Sequence, residues 1–235
     1  MLIHYKDIKY RKPDQPMRSP HRNQAGFSLI ELLVVISIIA ILSTASVLGI
    51  RSVMGSRTVL DTATGIAETV ELARSIAMSQ NTYVWLGVEQ DSNDVVISLV
   101  NSEDGTSDST SANLVPVNKL KRYSNVQLAD FSGITASDGP MSARSLVAAT
   151  HNLSTAGSTT VFSWPPSGVN TTHDFTHVMR FNPNGSVVLS GLDAYAMIEV
   201  GFQEANTPVT TNVSEGNIAA VQIDGVTGRS RIFRP

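Results

Sequence analysis

The sequence predicts an α+β fold in which a long amino-terminal helix packs on an antiparallel β-sheet head. Three observations predict it. A membrane-like apolar run, Phe27 to Ile50, is interrupted by a single carboxylate, Glu31. Helical periodicity then continues to about Ser79. Beyond Gln80-Asn81 the pattern changes to short strands separated by turn residues.

Residues 1–26 read as a hydrophilic leader. Lys6, Lys9, Arg11, Lys12, Arg18 and Arg22 outweigh Asp7 and Asp14 there, a bias that keeps such a segment cytoplasmic. Residues 27–50 follow as the apolar half of the helix. Their 24 residues extend ~36 Å at ~1.5 Å each, against a hydrocarbon core of ~30 Å. The expectation is a single span of the inner membrane with the head outside the cytoplasm. A charge inside hydrocarbon costs at least ~2.5–3.5 kcal/mol, so Glu31 requires a partner or a task. A secretory signal peptide is the competing reading, with Ser43-Thr44-Ala45-Ser46 imitating its cleavage site. The apolar run is too long and its leader too hydrophilic for that; a plain signal anchor is the other alternative.

Residues 51–80 form the amphipathic half. Val53, Leu60, Ala63, Ile66, Ala67, Val70, Ala73, Ile76 and Ala77 recur near 3.6-residue spacing. No proline falls between Pro20 and Pro116, so one helix from Phe27 to about Ser79 is expected, ~80 Å long. Gly49, Gly55 and Gly65 are its expected bending points.

Residues 81–235 form the β-rich head. Strands are expected at Thr82–Val88, Asp94–Val100, Leu114–Leu120, Val126–Ala129, Thr159–Phe162, His177–Phe181, Ser186–Leu189, Ala194–Phe202, Asn217–Ile223 and Arg229–Phe233. Asn184-Gly185 suits a two-residue hairpin turn because both residues tolerate positive φ. Asp224-Gly225 begins a longer turn. The polar tracts Asn101–Asn113 and Ala148–Thr172 read as exposed connecting loops.

Charge and composition narrow the class. The chain has 17 basic and 20 acidic residues; the leader holds six and two, leaving 11 and 18, so the formal charge changes from +4 to −7 across the boundary. An acidic head argues against a generic nucleic-acid-binding domain. There are no cysteines, so the roughly 185 residues after the apolar run hold together by one core, on the usual domain scale.

The stretch Gly26-Phe27-Ser28-Leu29-Ile30-Glu31 before an aliphatic helix resembles the processing site of type IV prepilins and type II secretion pseudopilins. The resemblance implies a pilin-like fold, cleavage after Gly26 by a prepilin peptidase, N-methylation of Phe27 by the same kind of enzyme, and assembly with other pilins or pseudopilins into a filament. It also implies that Glu31 pairs with the Phe27 ammonium of a neighbouring subunit and sets register. Isolating either charge of such a pair costs ~3–5 kcal/mol. The alternative is a Glu31 that stays hydrated and needs no partner.

Downstream, Glu71-Leu72-Ala73-Arg74-Ser75-Ile76-Ala77, Phe181-Asn182-Pro183-Asn184-Gly185 and Ile223-Asp224-Gly225-Val226-Thr227-Gly228-Arg229 resemble H-type pseudopilins and FimT-type minor pilins. Val221 to Pro235 is also similar to prepilin-like proteins called Verru_Chthon cassette protein D. These resemblances imply a minor subunit that initiates or caps a pilus or a secretion pseudopilus.

A second function class is DNA binding for uptake. Gly228-Arg229-Ser230-Arg231 resembles the Gly-Arg-x-Arg element of DNA-binding FimT-type pilins, with Arg234 close behind. Alternate arginines on a strand share a face, and guanidinium suits phosphate. The competing reading is a solvated edge strand whose cations discourage aggregation. Lys119, Lys121 and Arg122 read as a solvent-facing turn that supplements those arginines only if the fold unites them.

An enzyme is not expected. The chain has no nucleophile elbow, phosphate-binding glycine loop or cysteine nucleophile. His173 and His177 around Asp174 are a weak metal pattern, and Asp91, Asn93 and Asp94 are explained by a turn as well as by calcium. No metal or cofactor is assigned.

Overall fold

The computed structural model describes residues 27–132, 141, 144, 150–153, 160–166, 170, 172–189, 196–205 and 217–234, without the side chains of 44–56, 111, 150 and 151. The leader 1–26 therefore lies outside the described residues, as does the Thr44-Ala45-Ser46 part of the signal-peptide alternative at the level of side chains. The chain divides into two compact units between Ser46 and Val47.

In the first unit, helix α1 (Leu29–Gln80) begins. Its large side chains from Leu29 to Leu42 are exposed. The expectation that this half crosses a membrane is overturned: among the described residues no helix is long and apolar enough to do so. Farther along, α1 carries Arg57, Asp61, Glu68, Glu71 and Arg74. The single-pass inner-membrane localisation falls with that span.

In the second unit α1 continues unbroken through Gly49, Gly55 and Gly65. Val59, Ala63, Ile66, Val70, Ala73 and Ala77 are buried at spacings of three and four, one stripe of the helix. Leu60, Ala67 and Ile76 flank it half-buried. Thr62 and Thr69 are buried on the same side, their hydroxyls donating to the carbonyls of Thr58 and Gly65 at 2.9 and 2.6 Å. Gly65 serves packing: a Cβ there would overlap the Tyr123 hydroxyl. The helix ends because Asn81 turns left-handed at φ 50° and the Thr82 amide donates back to the Ala77 carbonyl at 3.1 Å, a Schellman closure.

The strands are β1 (Val84–Asp91), β2 (Asp94–Ser102), β3 (Leu114–Pro116), β4 (Lys121–Ser124), β5 (Val126–Ala129), β6 (Thr150–Asn152), β7 (Phe162–Trp164), β8 (His173–Phe175), β9 (His177–Phe181), β10 (Val187–Leu189), β11 (Met197–Glu204), β12 (Ile218–Asp224) and β13 (Ser230–Phe233). One sheet runs β10-β9-β1-β2-β3, with β4 also on β2; a second runs β13-β12-β11-β5, with β6 parallel on β11; β7 and β8 form a separate ribbon. All ten expected strand regions overlap strands. The expected Leu114–Leu120 strand breaks after Pro116, and pairing with β2 resumes at Lys121.

Alternation along the strands explains the layers. Val84, Leu86 and Val88 of β1 and Val95, Ile97 and Leu99 of β2 share a core cluster with the α1 stripe and with Ile198, Val200, Phe202, Val221 and Ile223 of the second sheet. On the other face of the first sheet, Trp85, Val96, Val100 and Val178 meet Phe162 and Phe175 from the ribbon, whose rings stack at 4.9 Å. The second sheet's other face carries Ala129, Phe131, Met141, Ile218 and Ala220.

Three loop expectations need correction. The Asn184-Gly185 hairpin is not a two-residue turn: the Gly185 amide donates to the Asn182 carbonyl at 2.8 Å, and only Gly185, at φ 86°, is left-handed. Pro183 instead occupies the position whose fixed φ suits a type I turn, with glycine completing a three-residue loop. Ala148–Thr172 includes β6 and β7. Asn101–Asn113 begins inside β2 and ends in a short 3-10 turn, Ser111–Asn113; between them Asp104 and Asp108 accept the amides of Thr106 and Thr110.

Candidate functional site

The first candidate is the start of α1. Phe27 is 84% exposed, and Ser28 and Glu31 cap the helix reciprocally. The Glu31 amide donates to Ser28 Oγ at 3.2 Å, while the Ser28 amide donates to Glu31 Oε2 at 3.3 Å. This is a capping box, serine and glutamate three residues apart. Ser28-Leu29-Ile30-Glu31 carries this capping signature in the sequence itself, beside its role as the one carboxylate of the apolar run. Gly26, on the other side of the expected cleavage point, lies outside the described residues.

The second candidate is the carboxy-terminal hairpin. Gln222 pairs with Arg231 across β12 and β13, so their side chains share the sheet face opposite the helix. There a concavity of about 440 Å³ is lined by Met197, Gln222, Asp224, Thr227, Arg229, Arg231 and Phe233. Arg229 and Arg231 are exposed, and among the described residues neither forms an ion pair within 4.0 Å. Arg234 is exposed but does not line the concavity. Asp224 stands among these arginines. Its carboxylate accepts the amides of Val226 and Thr227 at 2.9 and 2.8 Å, and the Thr227 amide above all holds its pKa below the usual range.

The three downstream sequence motifs converge beside that hairpin. Arg74 Nε donates to the Thr227 carbonyl at 2.6 Å, and Glu71 Oε1 accepts the Ser230 amide and hydroxyl at 3.2 and 3.3 Å. The Val187 amide, just after the Asn182–Gly185 turn, donates to the Gly225 carbonyl at 2.8 Å and ties the two sheets together. Gly228, at φ 66°, packs so closely that a Cβ would overlap the Gly185 carbonyl oxygen.

The other basic cluster has a different fate. Lys121 and Arg122 lie on β4 of the first sheet, and Arg122 bonds Asp91 at 2.6 Å and Asp94 at 3.0 Å. Arg122's hydrogen bond is the main cause of Asp94's lowered pKa. The residues weighed for calcium are thus a hairpin turn clamping an arginine. Arg122 is committed there, and the terminal arginines lie on the other sheet.

His173 ends in the β7–β8 ribbon and His177 on β9. Asp174 accepts the Ser163 hydroxyl at 2.5 Å, and the Thr176 hydroxyl lies 3.0 Å from His177 Nδ1. Glu89, half-buried beside them, accepts the Thr176 amide at 3.4 Å; burial pushes its pKa up against that bond and the two histidines. Among the described residues, no group of three or more His, Asp or Glu side chains could hold a metal ion.

A buried ion pair escaped the sequence reading. Arg144 Nη1 bonds Glu199 Oε1 at 2.6 Å, Gln222 Nε2 donates to Glu199 Oε2 at 2.8 Å, and Arg144 also donates to the carbonyls of Phe131 and Met141. Burial raises the Glu199 pKa, opposed chiefly by Arg144. Glu199 sits in an apolar strand, a contrast visible in the sequence, but its partner is 55 residues away.

Residues 21–47 match the family described as Prokaryotic N-terminal methylation motif. No curated protein and no solved structure matches the chain. The matched segment fits a prepilin-like chain in general and selects no subfamily. A motif of this kind hints at processing by a peptidase or methyltransferase partner in general.

Proposed function

We propose that the chain is a prepilin-like minor subunit, cut between Gly26 and Phe27, methylated at Phe27, and assembled with other pilins or pseudopilins through residues 27–50, carrying residues 81–235 as its head. The observation that carries this reading is the methylation-motif match over residues 21–47, continued by a helix whose large apolar side chains are exposed from Leu29 to Leu42. An apolar helix surface of that length is favourably removed from water against neighbouring helices. The meeting of Glu71-to-Ala77, Phe181-to-Gly185 and Ile223-to-Arg229 at one junction supports the minor-subunit reading, since the resembling motifs form one packing unit.

Glu31 has two tasks in this proposal. In the single chain it completes the capping box with Ser28. In the assembly its charge pairs with the Phe27 ammonium of a neighbour, and a subunit out of register leaves both charges unpaired.

Mass spectrometry of the mature amino terminus is the test. A chain beginning at methylated Phe27 supports the proposal; an intact leader, or a cut near Ala45, overturns it.

A further inference from the structure

We propose that the concavity on the outer face of the second sheet binds a small oxyanion ligand, a carboxylate or phosphate carried on a short apolar or aromatic body. The site does not depend on the processing of the amino terminus. Its volume, about 440 Å³, falls in the range of small-molecule pockets, ~300–1,000 Å³.

Its chemistry follows from three kinds of wall. Arg229 and Arg231 supply two exposed guanidinium groups free of ion pairs among the described residues. Planar guanidinium matches the paired oxygens of carboxylate or phosphate. Gln222, only 1% exposed, forms a polar element of the lining whose amide is oriented by its bond to Glu199. Met197 and Phe233 add apolar surface for the ligand body.

The nearby carboxylates do not cancel the cations. Glu199 is neutralised from its own side by buried Arg144 at 2.6 Å. Asp224 is held by the turn amides of Val226 and Thr227 and also attracts Arg231 electrostatically, so it offsets one of the two cations in part and leaves the concavity net positive. The concavity thus keeps two cations against one internally bonded carboxylate, on a chain whose formal charge is −3. A local, half-open concavity of mixed polar and apolar lining with two arginines differs from an extended basic track, which follows a nucleic-acid backbone over many phosphates.

Isothermal titration of the full-length chain with phenyl phosphate, benzoate, inorganic phosphate and a long single-stranded oligonucleotide tests the proposal. Saturable one-to-one binding of phenyl phosphate or benzoate is expected, weakened about tenfold or more in R229Q and R231Q. Whichever probe binds more tightly distinguishes phosphate from carboxylate. Unchanged melting curves verify that the variants fold, and a ligand-induced shift of the Gln222 side-chain amide resonance provides a readout in the unmodified chain. Absence of saturable binding by both aromatic probes, binding unaffected by both substitutions, or no response at Gln222 overturns the site. Oligonucleotide binding without either small probe reassigns the arginines to a nucleic-acid track and overturns it as well.

Discussion

Arg144 and Glu199 form an ion pair at 2.6 Å with side chains 1% and 5% exposed. A pair so buried stabilises little compared with an apolar replacement, yet is costly to break, because the remaining charge stays in a poor solvent. R144A is expected to destabilise the full chain by ~3–5 kcal/mol, whereas R144M combined with E199L recovers most of that loss. Denaturant titration of the single and double variants measures both; equal losses in all of them would remove the ion-pair explanation.

Glu89 gives a pH dependence of known sign. Its folded-state pKa is raised, by burial first, against the Thr176 amide and the charges of His177 and His173, with Asp174 acting to raise it. A raised carboxylate contributes stability that is full below its unfolded pKa and lost as pH rises through the folded value. E89Q should therefore raise Tm relative to the parent at pH 7 and lose that advantage near pH 4. An equal Tm difference at both pH values would contradict this.

At the motif junction, Gly228 combines a left-handed backbone with contact against the Gly185 carbonyl. G228A is expected to cost ~1–3 kcal/mol from backbone strain alone. R74A, which loses the bond to the Thr227 carbonyl, is expected to cost ~1 kcal/mol. Hydrogen exchange at the Val187 and Gly228 amides reports whether the loss is local; protection unchanged in G228A would refute the packing account.

The two tasks of Glu31 separate by substitution. Glutamine retains capping-box geometry but no charge, whereas alanine loses both. S28A is expected to cost ~1 kcal/mol of helix-start stability. Under the proposed function, E31Q keeps the helix start and fails to assemble in register. Filament incorporation of E31Q at the parental level would leave Glu31 with capping alone.

Much of this chain is local and therefore legible. The Val59-to-Ala77 stripe, the change of period after Gln80, the Asp224–Arg229 turn and the place, though not the type, of the turn at Asn184-Gly185 depend on neighbours within a few residues. β4, β6 and β8 carry no apolar run to announce them: Lys121–Ser124, Thr150–Asn152 and His173–Phe175 are largely polar and take their form from pairing with β2, β11 and β7. The Asp91-Asn93-Asp94 cluster was ambiguous for the same reason until Arg122 came into reach. The apolar run alone suggests a membrane span, but among the described residues no helix is long and apolar enough for one.

The sequence alone determined the methylation-type segment, the helix start at Ser28 to Glu31, and the order of helix and strands, since these arise from adjacent residues and periodicity. Only the tertiary structure decided that Arg144 meets Glu199, that Arg74 fastens the last hairpin, and that Arg229 and Arg231 share a concavity with Met197. Those relationships need chain segments far apart in sequence to be brought to hydrogen-bonding or packing distance, and folding around the common core supplies that proximity.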